Sequence, residues 1–99
     1  MKNITMTGNG TTTNANAIVV SNHPTGGKWN LVVTSDTWGG MTVDLLASAN
    51  GTDWFAVEDV NGAVQFTANG GRLVAGNLYY KVTVASYGGS AVTVVARPS

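Results

Sequence analysis

The feature that most constrains this chain is a strict two-residue alternation, cleanest in Leu78 to Ser86, LYYKVTVAS. There Leu78, Tyr80, Val82 and Val84 fall on one side of an extended backbone, and Tyr79, Lys81 and Thr83 on the other. Successive side chains of a strand point to opposite faces, so this pattern suits a strand with one face buried and one wet, the situation of an antiparallel sheet. Three further segments repeat it. Lys28 to Ser35, KWNLVVTS, sets Trp29, Leu31 and Val33 against Lys28, Asn30 and Thr34. Met41 to Ser48, MTVDLLAS, sets Met41, Val43, Leu45 and Ala47 against Thr42, Asp44 and Ser48. Ala91 to Arg97, AVTVVAR, directs Val92, Val94 and Ala96 inward. No window carries an apolar pattern at the helical period.

Asn50-Gly51, Asn61-Gly62, Asn69-Gly70 and Gly88-Gly89 punctuate these runs, and such dipeptides reach turn conformations at little cost. Each apolar sheet face needs a cover, and a second sheet supplies it. The expectation is an all-β fold, an antiparallel β-sandwich of Ig-like or jelly-roll type, with about seven to nine short strands and almost no helix. The 99 residues suit one domain. Residues 1–16, MKNITMTGNGTTTNAN, are polar apart from Ile4 and Met6. They are expected to form an N-terminal arm, either a disordered tail or a strand added to a neighbouring subunit, with the sandwich occupying 17–99.

Charge narrows the function. Charged residues make up 10% of the chain and the formal net charge is zero, against about 25% charged residues in an average soluble domain. Thr, Asn, Ser and Gly must cover the surface instead, and a neutral surface favours self-association. The scattered Lys and Arg form no basic stripe, which argues against nucleic acid. No run approaches the roughly 20 apolar residues that span a bilayer, so no membrane partner is expected. The opening residues lack the apolar core of a secretory signal. The acceptor-like triplets at Asn3, Asn9 and Asn50 therefore read as accidental. There is no cysteine to build a disulfide or a thiolate metal site.

Catalysis has little to work with. The one histidine, His23, lies in the loop SNHPTGG, and no serine sits in a G-x-S-x-G elbow. Asp53, Glu58 and Asp59 flank one hairpin, but their spacing is not that of a calcium loop. Glycine-rich stretches lack the phosphate-loop lysine. The expectation is a non-enzymatic protein with no catalytic residue, no cofactor and no metal.

The aromatics remain. Trp29 and Tyr80 fall on inward positions and read as core; Trp38, in SDTWGG, reads as a lid over one end of the sandwich. Tyr79 faces outward and Tyr87 sits in a turn, and exposed tyrosines suit contacts because they pair rigid area with a polar tip. In SANGTDWFAV, Trp54 and Ala56 share one face while Phe55 and Val57 share the other. Trp54 is expected inward against the Asn50-Gly51 turn, leaving Phe55 exposed for a partner. The expected partner-binding residues are Ile4, Met6, Trp38, Phe55, Tyr79 and Tyr87.

Trp38 to Val60, WGGMTVDLLASANGTDWFAVEDV, resembles a pattern in small virion proteins of tailed bacteriophages. In those proteins a Trp-Gly-Gly-like start leads into a strand, an S-x-[DN]-G-T-x-W hairpin and later a tyrosine-bearing strand, here GNLYYKVTV. The resemblance spans Lys28 to Arg97. It implies a capsid decoration (cement) protein on the virion surface, or a small tail or fibre component, made in the bacterial cytoplasm. The implied partners are the major capsid protein and sister subunits, and shell symmetry favours a homo-oligomer, a dimer or trimer. The hairpin is also similar to one in discoidin-like galactose-binding domains. Those are longer and often disulfide-closed, so a carbohydrate-binding or host-adhesion module is the alternative.

Overall fold

A computed structural model of the protein describes residues 3–20, 28–76 and 78–98. Among them are twelve strands: β1 (Ile4–Met6), β2 (Gly10–Thr11), β3 (Ile18–Val20), β4 (Trp29–Thr34), β5 (Thr42–Ser48), β6 (Phe55–Ala56), β7 (Glu58–Asp59), β8 (Gly62–Ala63), β9 (Gln65–Phe66), β10 (Gly70–Val74), β11 (Leu78–Ala85) and β12 (Val92–Pro98). One 3₁₀ turn, Asn14–Asn16, is the helical element among the described residues. The first sheet runs β1-β12-β4-β10. In the second, β11 pairs with β5; β2 and β3 flank β11, and β6 and β9 flank β5. Every pairing is antiparallel.

The four segments that alternate in sequence are the four long central strands, as the period requires. Trp29, Leu31 and Val33 of β4 and Val92, Val94 and Ala96 of β12 pack on Val43, Leu45 and Ala47 of β5 and on Tyr80, Val82 and Val84 of β11. They form one core between two sheets, the sandwich-like arrangement the alternation predicts. Full burial of each large aliphatic side chain contributes about 1.5–3 kcal/mol. Tyr80 brings a hydroxyl into this layer and donates it to the Ala75 carbonyl at 2.8 Å. Burial pushes its phenol pKa above the ordinary 10.0.

The N-terminal residues correct an expectation. The described part of the expected 1–16 arm, residues 3–16, is not separate from the body, because β1 pairs with β12 in the register Ile4 to Val94, and β2 pairs with β11. Ile4 is only 2% exposed. Thr12 donates both its backbone N–H and its hydroxyl to the Val82 carbonyl, at 3.0 and 3.2 Å. The physical cause is that the outer sides of β12 and β11 offer backbone groups that must be paired or wetted, and a short extended segment pairs both. The boundary placed at residues 16 and 17 therefore falls inside the folded body, and Ala17 and Ile18 are buried.

Beyond β5 the chain makes an excursion. β6 pairs with β5 through Ala56 and Leu46, and β9 pairs with it through Phe66 and Val43. Between these points Val57 N–H donates to the Leu45 carbonyl, Val64 N–H to the Val57 carbonyl and Leu45 N–H to the Val64 carbonyl. This closure lets β7 and β8 pair with each other as a small hairpin, Asp59 opposite Gly62, around Val60 and Asn61. Val60 and Asn61 keep negative φ while Gly62 takes +107°. Asp at the first position and Gly at the fourth suit a type I turn.

Candidate functional site

The two sheets leave two lateral edges. One is built from β1 of the first sheet and from β2 and β3 of the second; the other from β10 of the first and from β6 and β9 of the second. The first edge holds a groove of about 540 Å³, lined by Ile4 and Met6 with Thr11, Thr12, Thr13 and Asn16 among its polar members. Across it the Thr12 hydroxyl oxygen lies 3.5 Å from the Met6 sulfur.

At the second edge Arg72 occupies a position in register with Leu31, on the inward side of β10. Its guanidinium pairs with the Asp59 carboxylate of the β7–β8 hairpin and so joins the hairpin to the first sheet. Asp59 also accepts the Asn61 backbone N–H at 2.8 Å. That backbone hydrogen bond, then Arg72, hold its carboxyl below the ordinary 3.8. Phe55 on β6 (53% exposed) and Leu73 on β10 (57%) belong to this edge, and Val60 (99%) caps the β7–β8 hairpin that Arg72 ties to it. Val19, on β3, is the other large apolar residue that is exposed among the described ones.

Trp54 corrects a second expectation. Ala56 stands opposite Leu46 and Phe55 opposite Ala47. Directly paired residues share a face, so Trp54, in phase with Ala56, lies on the outer face of the second sheet. Lys81 shares that face, being paired with Leu46, and its Nζ sits 4.2 Å from the centroid of the Trp54 ring. Nζ also donates to Asn14 Oδ1 at 2.8 Å, and Lys81 is only 9% exposed. Trp54 Nε1 is buried without a hydrogen-bond partner among the described residues. The preceding turn fixes this phase. Ser48 Oγ accepts the N–H groups of Asn50 and Gly51, while Asn50 Oδ1 accepts those of Thr52 and Asp53. Phe55 is exposed as expected, but because it belongs to the outermost strand rather than because it faces outward.

The remaining candidates are dispersed. Ile4 is a core residue and Met6 packs half-buried on the core, so neither is an exposed contact. Trp38 also packs on the core; its Nε1–H donates to Asn69 Oδ1 at 2.8 Å and its carbonyl accepts Met41 N–H. It lies in the segment that joins β4 of the first sheet to β5 of the second. Tyr79 lies beneath the Asn50-Gly51 turn: a Cβ on Gly51 would meet its ring at 3.3 Å. Tyr87 is half-buried against the core, and its N–H donates to Asn9 Oδ1. Of the six expected contact residues, the structure leaves Phe55 as the exposed one. Val60, Leu73 and the Arg72–Asp59 pair escaped the sequence reading. An apolar residue held between turn-forming neighbours, as in EDVNGA, was the available signal for Val60.

Asp53 accepts a hydrogen bond from Asn50 Nδ2, and Asp59 is engaged by Arg72. Among the described residues no three His, Asp or Glu side chains group as a metal site, and no helix is long and apolar enough to cross a membrane. His23 lies outside the described residues. No family model matches the sequence, and neither curated proteins nor solved structures gave a significant match.

Proposed function

We propose that this chain is a non-enzymatic structural protein of a phage virion, a capsid decoration (cement) protein that binds the head shell as a dimer or trimer and reinforces it. The observation that carries this reading is the placement of three of the four exposed large apolar residues among the described ones. Phe55, Val60 and Leu73 fall on β6, the β7–β8 hairpin and β10, the elements at one side of the sandwich, while Thr, Asn and Ser are abundant elsewhere. Exposed apolar residues gathered on one part of a surface suit a protein contact. The virion-like pattern from Trp38 to Val60 supports the same assignment and includes two of those residues.

The mechanism is adhesion. A protein that binds the assembled shell and not its dissociated parts stabilises the shell by mass action. Many copies on a repeating lattice, each making a modest contact, act together through avidity. The sugar-binding reading is weaker, because the Lys81 ammonium already occupies one face of the Trp54 ring.

Immunogold imaging of particles from the phage that encodes the chain tests the proposal. Label distributed over the head is the expected result. Label confined to the tail would move the assignment to a tail or fibre component, and unlabelled particles would overturn it.

A further inference from the structure

We infer that the fold selects one of its Asn-Gly pairs, Asn61-Gly62 at the tip of the β7–β8 hairpin, as a site of spontaneous deamidation and isoaspartate formation. The chain carries four such pairs, at Asn9, Asn50, Asn61 and Asn69. All four asparagines are exposed, so solvent access does not separate them. Hydrogen bonding does.

The reaction needs the backbone nitrogen of the following glycine to attack Cγ of the asparagine side chain. The Cγ–Nδ2 bond breaks, ammonia leaves with the proton taken from the glycine nitrogen, and a succinimide ring remains. Water then opens the ring at either carbonyl, giving aspartate or isoaspartate. No oxidant or reductant is involved. Whatever holds the side-chain amide, or engages the attacking N–H, slows the first step.

At Asn50 both parts are held. Its Oδ1 accepts the N–H groups of Thr52 and Asp53, its Nδ2 donates to Asp53, and the Gly51 N–H donates to Ser48 Oγ at 2.9 Å. Asn69 Oδ1 accepts Ser35 N–H and Trp38 Nε1–H, both at 2.8 Å. Asn9 Oδ1 accepts Tyr87 N–H at 2.8 Å. The Asn61 backbone N–H donates to Asp59, and the Gly62 N–H is engaged in the β7–β8 ladder opposite Asp59. The Asn61 side chain, however, makes no hydrogen bond with any described residue, and that free amide is what sets this pair apart. Conversion there replaces a neutral amide with a carboxylate beside Asp59 and next to the exposed Val60, and isoaspartate lengthens the backbone within the turn.

The test ages the full-length folded chain in mildly alkaline buffer and follows each site by peptide mass spectrometry, with electron-transfer fragmentation to distinguish isoaspartate. Asn61 should convert about tenfold faster than Asn50 or Asn69, the factor that breaking a pair of protecting hydrogen bonds contributes. The chain denatured in urea should convert all four at similar rates. Ser48→Ala, which frees the Gly51 N–H, should accelerate Asn50 and leave Asn61 unchanged. Equal rates in the folded chain, or Asn50 or Asn69 leading, would overturn the inference.

Discussion

The two lateral edges of the sandwich face the same problem and solve it with different forces. At the edge of β1, β2 and β3 the chain covers itself with apolar side chains: Ile4, Ile18 and Val20 are buried and the strands pair with β12 and β11. At the edge of β10, β6 and β9 the closure is polar, an exposed arginine–aspartate pair reaching from one sheet to a hairpin of the other, with Phe55, Val60 and Leu73 left in water. Burial stabilises without regard to salt or pH, whereas a surface ion pair is weak and screened. The first edge is thus held by burial, and the second keeps apolar surface in water.

Substitutions at each edge break or sharpen this contrast. Ile4→Ala should cost the most, about 2–5 kcal/mol in urea unfolding, the range for emptying a buried aliphatic site. A negligible loss would mean that the N-terminal strand is a dispensable appendage after all. Next comes the outer face of the second sheet. Trp54→Ala should cost about 1–2 kcal/mol, the scale of a desolvated cation–π contact, and not the larger loss of a core tryptophan. A double-mutant cycle with Lys81→Ala should show that most of this is shared by the pair; additive effects would dissolve the pairing. The smallest effect belongs to the polar edge. Asp59→Asn should destabilise slightly, and added salt should shrink the difference. Because the folded carboxyl titrates below its ordinary 3.8, its stabilisation is fully present above that value and is lost as pH falls through the folded pKa. The wild-type and variant unfolding midpoints should therefore converge in acid. A difference that persists there would mean that the aspartate acts by shape rather than charge.

The same contrast separates what was legible in the sequence from what was not. β4, β5, β11 and β12 announce themselves because each is long enough for alternation to be visible and each buries one face. Ile4 and Met6 offer two apolar residues in a polar stretch, too short for a period, and their burial depends on β12 at the far end of the chain. The phase of Trp54 depends on one residue of turn length, which the Ser48 and Asn50 hydrogen bonds decide and alternation does not. Lys81 occupies an outward position, as its sequence phase implies, yet Trp54 and Asn14 roof it over. At the candidate interface Phe55 could be read from its hairpin. Leu73 could not, because GGRLV has two glycines where an alternating strand would show its pattern.

The pairing of β1 with β12 also sets an order of events during synthesis. Ile4 leaves the ribosome well before its partner Val94, with most of the described strands made between them. The first strand must wait exposed until β12 is present, and closing so large a loop costs entropy before any contact repays it. Folding dominated by such distant pairings is expected on the millisecond-to-second scale. During that wait the polar Thr- and Asn-rich flanks of Ile4 keep an unpaired strand in solution.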